Sequence, residues 1–572
     1  MPVDLLKIDT FGAIDAESDE RLGEYFVTTP MYEALVGQQR YIALGRKGSG
    51  KTALFRELLN SVDAATFVTG LGFADYPWGA HNDTSNLQAS PGERYVASWR
   101  FLILIELAKQ VLRDEGRRDP EVSAALRAFI EKIWGQVEFS HREFFGKDEY
   151  ELVGEFKPQL GGAALGSIGR RRVERRRIGE ALASTISWLE EALSRTMNPE
   201  HRYYVQFDEL DKSFDGHDEQ YDTRLIGLLL AAYHVATWAK DAKVRARAVV
   251  FLRTDIFDAI AFSDKNKIRD NAVVEVRWTD EDAGPGSLRD LINERIRRVA
   301  NLDKADDPWD AVFDPEREMR GTTTKYRHMT RRTHLRPRDM IKFSNFALRE
   351  AKARLRKGSG QMKIDNEDIA RARDPYSAFL VDELDDEIRP TCAEWKVYLE
   401  MLRRMRRLDF SRTEIAEQHA ALSNPPLSLD HVLELLFKYS IVGYVARGGR
   451  GGGGGHAASS GRLAGPAPGA GYRGLGGDRH SERAGLTLVA SQRGRRRPHR
   501  RHPSQVAVRP RCGARLRQPR QTADHRAAAD HHARRHDDRQ PRLALDLACR
   551  HDAARRGDGG SGRRRHQLLD RS

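Results

Sequence analysis

Short apolar runs recur along the first half of the chain, separated by segments in which apolar residues follow a helical spacing. The apolar runs are Tyr41–Leu44, Ala65–Gly70, Tyr203–Phe207, Val249–Leu252 and Val273–Trp278. The helical segments between them span residues 53–60, 99–116, 178–194 and 223–240. Because strands that alternate with helices favour a parallel sheet covered on both faces, residues 1–280 are predicted to form an α/β domain.

The strand pattern stops after Trp278, and two mainly helical units follow. Helical spacing over residues 287–302, 336–356 and 366–384 predicts an all-α domain at residues 281–385. Three more helical segments, at residues 393–409, 411–422 and 428–440, precede a strand-like run at 441–446. Three helices followed by a strand predict a winged-helix-like module at residues 386–446.

The composition changes abruptly after Ala446. Residues 447–572 contain no Ile, Phe, Trp, Met, Asn or Lys and are rich in Arg, Gly, Ala, His and Pro. A segment without large apolar residues cannot build a core that offsets chain entropy, so a disordered Arg/Gly-rich tail is predicted. The remaining residue types have GC-rich codons, and the change begins in a glycine run. We therefore interpret the tail as the product of a shifted reading frame, with a genuine Arg-rich nucleic-acid tail as the alternative.

The charge balance also separates the tail from the rest of the chain. The chain has 96 Lys and Arg side chains against 83 Asp and Glu, a net charge of +13. Residues 447–572 hold 29 of the basic and 10 of the acidic side chains, so they carry +19 and residues 1–446 carry −6. Because the part before the tail is mildly acidic, net charge does not favour a basic nucleic-acid-binding protein.

Features of secreted and membrane proteins are absent from the sequence. No run of about 18 apolar residues is present, and the first residues lack a basic segment followed by an apolar one. The three cysteines, Cys392, Cys512 and Cys549, cannot form a disulfide framework. We therefore expect a cytoplasmic protein with no membrane partner.

Eight consecutive residues after the first apolar run match the pattern G-x-x-x-x-G-K-[ST] in full. They are Gly45, Arg46, Lys47, Gly48, Ser49, Gly50, Lys51 and Thr52. Between a strand and a helix, such glycines let backbone N–H groups converge on phosphate oxygens, and the helix start adds positive potential. The motif predicts an ATP site, with Lys51 at the β- and γ-phosphates and Thr52 as a ligand of Mg²⁺.

A second motif follows the apolar run Tyr203–Phe207, which ends in Asp208 and Glu209. Open α/β sheets bind ligands at the carboxyl ends of their strands, where these two acids are expected to lie. We predict that Asp208 completes the Mg²⁺ shell and that Glu209 polarises the attacking water. The adjacent glutamate favours hydrolysis over binding alone.

With these two motifs, residues 25–350 resemble prokaryotic P-loop ATPases of the AAA+ and STAND groups, close to origin-recognition-type ATPases. The resemblance implies an α/β P-loop NTPase fold of the type with an additional catalytic glutamate, and the all-α unit as its lid. The long gap between Lys51 and Asp208 leaves room for the further strand of that type. A second glycine motif and a substrate-threading loop are not found, which argues against an unfoldase.

The resemblance also implies roles for arginines at strand ends. Arg253 and Thr254 stand where these families place a sensor of the γ-phosphate, with an ordinary strand-end turn as the alternative. Arg269 stands where AAA+ proteins place an arginine finger that acts on a neighbouring subunit. A surface arginine beside Asp264 and Asp270 is the alternative.

A further arginine is implied at the start of the lid helix. Residues 335–339 begin that helix, with Pro337 suited to its first turn. The resemblance implies a lid arginine that approaches the γ-phosphate. Arg338 is the candidate and Arg336 the alternative.

Candidate partners are less specific than the nucleotide. The glycine-rich stretch 157–169 is expected to be a loop. Two basic groups follow it, Arg170–Arg172 and Arg175–Arg177, and they are either contacts to phosphates or part of a solvated helix face. The third helix of the winged-helix-like module carries acids as well as basic residues, so DNA binding and protein docking both stay open.

Together these features predict an ATPase whose Mg²⁺-dependent hydrolysis of ATP drives a conformational switch or motor, acting on DNA or in a defence-type signalling assembly. The alternative is a nucleotide-gated scaffold with little turnover. ATP and Mg²⁺ are the predicted cofactors, and DNA, a protein partner and further copies of the chain are the candidate partners.

Overall fold

The apolar runs of the first half of the chain form the strands of one parallel sheet. The computed structural model describes residues 3–73, 93, 95–140, 143–144, 159–160, 163–164, 175–210, 220–281, 284, 286–303, 306–320, 322–358, 360–406, 409–444 and 487–490. In chain order the strands of the unit Met1–Tyr376 are β1 (Ile42–Gly45), β2 (Thr66–Gly72), β3 (Gln159–Leu160), β4 (Ala163–Ala164), β5 (Arg202–Asp208), β6 (Arg245–Arg253) and β7 (Val273–Glu275). The five-stranded sheet has the order β2-β5-β6-β1-β7.

Every neighbouring pair in this sheet is parallel, so the carboxyl ends of all five strands lie at one edge. Six consecutive residues of β5, from Tyr203 to Asp208, are buried, which requires cover on both faces of the sheet. The sheet thus fits the predicted α/β P-loop NTPase fold. The last predicted strand is shorter than expected, because the pairing of β7 ends at Glu275 and does not reach Trp278.

In the described part of this domain, eight α-helices connect and cover the strands. They are α1 (Pro30–Val36), α2 (Lys51–Asn60), α3 (Val96–Arg113), α4 (Pro120–Trp134), α5 (Arg175–Thr196), α6 (Tyr221–Asp241), α7 (Thr254–Ala259) and α8 (Lys265–Ala272). The helix α4 is not among the predicted helices, although both of its ends carry clear signals. Asp119 is its N-cap, Pro120 is its first residue, and Gly135 is its C-cap with φ 79°.

The predicted loop and basic cluster before α5 are only partly described. Within 157–169 the described pairs β3 and β4 form an antiparallel ladder, which differs from the predicted loop. Arg170–Arg172 lie outside the described residues, and Arg175–Arg177 form the first turn of α5.

The residues after the sheet are helical, as predicted for the lid. The helices are α9 (Leu288–Val299), α10 (Pro308–Val312), α11 (Lys325–Thr330), α12 (Pro337–Arg356) and α13 (Asn366–Ile388). Three ion pairs described in this region are almost fully buried: Lys325 with Asp314 at 3.6 Å, Arg336 with Asp339 at 3.1 Å and Arg354 with Asp368 at 2.8 Å.

The second unit, Ser377–Ser572, has a small core around Trp395 and Tyr398. Its further elements are α14 (Lys396–Met405), β8 (Asp409–Ser411), α15 (Arg412–Ala420), α16 (Leu429–Lys438), β9 (Val442–Tyr444) and β10 (Thr487–Ala490). The strands pair antiparallel in the order β8-β10-β9. Of the tail predicted to be disordered, the structure describes only 487–490, and these four residues differ from the prediction by forming a strand. The rest of the tail lies outside the described residues.

Across the described ranges, no helix is both long enough and apolar enough to span a bilayer.

Candidate nucleotide site

The glycine-rich motif forms a tight turn between a buried strand and a helix. All four residues of β1 are buried, and α2 begins at Lys51 directly after the turn. Gly48 has φ 75° and Gly50, which precedes the first helical residue, has φ 98°. Both lie in the left-handed region that glycine adopts without strain, so the sequence places glycine where the turn requires it.

Two glycines of the turn also leave no room for a side chain. A Cβ on Gly45 would lie 2.3 Å from Oγ of Ser49, and a Cβ on Gly48 would lie 3.0 Å from Cβ of Arg338. The side chain of Ser49 therefore packs directly against Gly45 at the start of the turn, and the side chain of Arg338 packs against Gly48. This is the geometry in which backbone N–H groups can surround an oxyanion.

Lys51 and Trp278 hold the turn in shape. Nζ of Lys51 donates to the carbonyl oxygens of Gly45 at 3.1 Å and Arg46 at 3.2 Å. Nε1 of Trp278 donates to the carbonyl oxygen of Ser49 at 2.8 Å. The ammonium of Lys51 thus lies over the turn, where a phosphate bound by the turn would meet it. Trp278 was not predicted as a site residue, and no spacing rule connects it to the motif.

Asp208 and Glu209 lie at the carboxyl edge of the sheet, as predicted. Asp208 is the last residue of β5 and is 4% exposed. Glu209 follows with φ 62°, and its Oε2 lies 3.5 Å from the position of a Cβ on Gly72, the last residue of β2. The left-handed backbone thus turns the Glu209 carboxylate toward the end of β2.

One strand, β6, separates the strand of the glycine turn from the strand that ends at Asp208. Neighbouring strands are about 4.8 Å apart, so the ends of β1 and β5 are about 10 Å apart across the edge. Thr52 and Asp208 therefore face the same edge from two sides. Hydroxyl and carboxylate oxygens are hard donors of the kind that Mg²⁺ prefers, so the donor types at this edge suit the ion.

Arg253 ends β6 and pairs in register with Gly45 of β1. Its guanidinium binds Asp255 through two hydrogen bonds of 3.1 and 2.8 Å, and Thr254 begins α7. Arg253 is therefore next to the glycine turn in the sheet, while its side chain is engaged by an acid two residues later.

Arg269 lies in α8 and forms a surface ion pair. Its Nη2 is 2.5 Å from Oδ1 of Asp258, and its guanidinium lies 5.2 Å from the centre of the Phe257 ring. Asp258 lies in the helix α7, so Arg269 pairs with an acid of the neighbouring helix and not with Asp264 or Asp270 beside it in the sequence. These contacts lie within one chain, so the role of Arg269 toward a neighbouring subunit stays a prediction.

Both arginines of the lid segment lie against the glycine turn. Nη1 of Arg336 donates to the carbonyl oxygen of Lys47 at 2.9 Å, and its Nε donates to Asp339 at 3.1 Å. Arg336 is 2% exposed and Asp339 is fully buried. Burial alone would raise the pKa of Asp339, but the charges of Arg336 and His334 hold that pKa below its usual value. Through these two contacts the Arg336 side chain joins the lid segment to the glycine turn.

Arg338 is more exposed than Arg336 and has a different partner. Its backbone nitrogen lies 3.4 Å from the carbonyl oxygen of Gly48, and its Nη2 donates to Oδ1 of Asp15 at 2.8 Å. Asp15 belongs to the segment before α1. No local signal identified Asp15 as a contact of the lid.

An open cleft with an empty volume of about 900 Å³ adjoins the turn. Its walls come from three parts of the unit: the segment 13–31, the turn with the start of α2, and the helices α9 and α12. Apolar side chains dominate the first and third walls, among them Ile14, Phe26, Val27, Pro337 and Ile341. Clefts with such an apolar lining can accept small molecules that have a flat apolar part.

The all-α region has a match among known protein families. The family of the FunZ-associated C-terminal helical domain matches residues 286–385, which span α9 to most of α13.

The chain is also similar to a protein of Escherichia coli (strain K12) described as the 80.3 kDa protein of transposon gamma-delta. The two are 22% identical over 353 residues, which cover 60% of this chain and 47% of that protein. This chain therefore spans about half the length of that relative. Among solved structures, the ORC1 protein of Aeropyrum pernix in complex with DNA is 14% identical, with a TM-score of 0.29. That match covers 75% of this chain and 88% of the other.

Proposed function

We propose that the chain is an ATPase in which the turn 45–52 binds ATP with Mg²⁺. The observation that supports this most is the convergence of three features at one sheet edge. They are the complete glycine turn, the acids Asp208 and Glu209, and the arginines Arg336 and Arg338 of the lid. Open α/β sheets bind ligands at this edge, and phosphate binding at a helix start needs the backbone geometry described for Gly48 and Gly50.

The cleft and the turn supply separate parts of a nucleotide site. The backbone N–H groups of the turn and the ammonium of Lys51 bind the phosphates, and the apolar walls from 13–31 and α12 accept the base. Thr52 and Asp208 hold Mg²⁺, which offsets phosphate charge when it is bound.

Glu209 orients and polarises the water that attacks the γ-phosphate. The strand β6 between β1 and β5 supports the fold type with an additional catalytic glutamate, because it spaces the glutamate from the phosphates by about a water and a phosphoryl group. Arg253 and Arg338 are the candidate γ-phosphate sensors. To contact the γ-phosphate, Arg253 must break its ion pair with Asp255 and Arg338 its ion pair with Asp15. Arg269 acts on a neighbouring copy of the chain in the same proposal, which makes a homo-oligomer the active form.

Hydrolysis is tested by comparing ATP turnover of the wild type with Glu209→Gln and the matched control Glu200→Gln. Glu200 is exposed and precedes the amino end of the same strand β5. We expect turnover in the wild type and the control, and retained ATP binding with at least about a hundredfold slower hydrolysis in Glu209→Gln. Binding without turnover in the wild type would leave the nucleotide-gated scaffold as the function. Loss of ATP binding in Lys51→Ala is expected in either case.

DNA is the candidate partner, and a cytoplasmic location belongs to the same proposal. The test is a gel-shift titration of the full chain and of residues 1–446 against duplex DNA at increasing salt. Phosphate contacts make binding strongly salt-dependent. Retardation by residues 1–446 at low salt supports a DNA partner, and retardation by the full chain alone assigns binding to the Arg-rich tail.

A further inference from the structure

Three arginines of the all-α region act on one another electrostatically, and none of them forms an ion pair with an acid among the residues that the structure describes. Arg331 and Arg332 directly follow α11, Arg373 lies in α13, and each is partly buried. Their hydrogen bonds go to neutral oxygens: Arg332 to the carbonyl of His328 at 2.8 Å and Arg373 to the carbonyl of Ala370 at 3.1 Å. Within the ranges that the structure describes, Arg331 and Arg373 are the charged groups that act on Arg332. We name Arg331, Arg332 and Arg373 the arginine cluster.

His328 lies under the arginine cluster and is 8% exposed. Burial, followed by the charges of the three arginines, lowers its pKa to about 3, so its imidazole is neutral at physiological pH. Nε2 of His328 and Nε of Arg332 are both buried, and neither has a hydrogen-bond partner among the described residues. Two polar nitrogens at the cluster therefore have unused hydrogen-bonding capacity.

Several other buried basic side chains in the same unit have an acidic partner. Arg295 lies 3.0 Å from Asp19, Arg336 lies 3.1 Å from Asp339, and the ion pairs Lys325–Asp314 and Arg354–Asp368 were described above. Burial of charge costs free energy unless an opposite charge offsets it, and like charges placed together add to the cost. Among the described residues the arginine cluster lacks such an offset, and a bound anion would supply it.

We propose that the arginine cluster, with His328 beneath it, is a binding site for a phosphate group. Guanidinium groups bind phosphate oxygens through paired N–H donors, and three of them can share one tetrahedral oxyanion. None of these four residues lines the cleft beside the glycine turn, so the site is separate from the nucleotide site and does not rest on the proposed ATPase activity. The phosphate belongs either to a nucleic-acid backbone or to a free phosphate.

The test uses the full chain on the Lys51→Ala background, which removes phosphate binding at the glycine turn. On this background we compare three proteins: one with the wild-type cluster, the double variant Arg331→Gln/Arg373→Gln, and the control Arg371→Gln. Arg371 is exposed, lies in the same helix as Arg373 and pairs with Glu367 at 2.6 Å. One arm measures melting temperature against inorganic phosphate, with potassium chloride at equal ionic strength as reference. The other measures fluorescence anisotropy of a labelled duplex oligonucleotide.

We expect phosphate to raise the melting temperature of the wild-type cluster and of Arg371→Gln, with little effect on the double variant. Without phosphate, the double variant should melt at the same or a higher temperature than the wild-type cluster, because like-charge repulsion is relieved. A purely structural role of these arginines predicts the reverse.

If the phosphate comes from nucleic acid, the double variant also binds the oligonucleotide at least about tenfold more weakly than Arg371→Gln. An effect on inorganic phosphate alone assigns the site to a free phosphate. Equal responses of the double variant and Arg371→Gln in both arms would overturn the proposal, whatever the ATPase assay shows.

Discussion

Nη2 of Arg338 donates a 2.8 Å hydrogen bond to Oδ1 of Asp15, which joins the first turn of α12 to the segment that precedes α1. The same arginine approaches Gly48 of the glycine turn through its backbone. A carboxylate and a bound γ-phosphate would compete for one guanidinium. Arg338 therefore links the first turn of α12 to both the amino-terminal segment and the glycine turn.

Asp15→Asn is expected to strengthen ATP binding by up to about fivefold, because the competing ion pair is partly exposed and contributes about 0.2–1 kcal/mol. ADP lacks the γ-phosphate, so its affinity should not change. Isothermal titration calorimetry with both nucleotides measures the difference, with the exposed Asp9→Asn as control. An equal gain for ATP and ADP would contradict a role of Arg338 at the γ-phosphate.

Arg336→Ala is expected to destabilise the chain by about 3–5 kcal/mol, because it leaves the fully buried Asp339 without its counter-charge. Urea unfolding followed by tryptophan fluorescence measures the change. Arg336→Ala/Asp339→Asn should recover part of the loss, since the buried charge is removed. A loss below about 1 kcal/mol in the single variant would show that the pair adds little to stability.

Gly45→Ala is expected to weaken ATP binding at least about tenfold, because its Cβ would lie 2.3 Å from Oγ of Ser49 and the turn must shift. Gly23→Ala is the matched control, since a Cβ there meets no atom within 4 Å. Unchanged ATP affinity in Gly45→Ala would mean that the described shape of the turn is not required for binding.

Stability is expected to depend on pH through His328. Its pKa in the folded chain is about 3, below its value of about 6.5 in the unfolded chain, so the unfolded state binds more protons between these values. Stability is therefore present in full above about pH 6.5 and falls as the pH decreases, by at most about 1.4 kcal/mol per pH unit. Urea unfolding between pH 5 and 7.5 should show this slope in the wild type and a smaller one in His328→Gln. Equal slopes would exclude His328 as their source.

The local parts of the candidate site could be predicted from the sequence. The glycine turn follows from the need for positive φ at Gly48 and Gly50, and the buried strand before Asp208 follows from its apolar run. Their meeting at one sheet edge needed only the parallel pairing that the alternation of strands and helices predicts.

Other parts could not be predicted because no local spacing describes them. Arg338 is the predicted contact of the γ-phosphate and Arg336 the alternative. In the structure both lie against the turn, Arg336 through its guanidinium and Arg338 through its backbone nitrogen. Arg269 pairs with Asp258 and not with the acids nearest to it in the sequence, Asp264 and Asp270. The direction of α8 decides which acid its side chain reaches. The strand β10 lies in a segment whose composition predicted disorder.

The strands, the glycine turn and the acids after β5 follow from the local sequence, because backbone conformation and alternating burial depend on residues that are neighbours along the chain. The contacts of Asp15 with Arg338 and of Arg336 with Lys47, and the influence of Arg373 on Arg332, depend instead on the tertiary fold. These contacts join segments far apart in the chain, and the packing of helices against the sheet and one another sets which of their side chains come together.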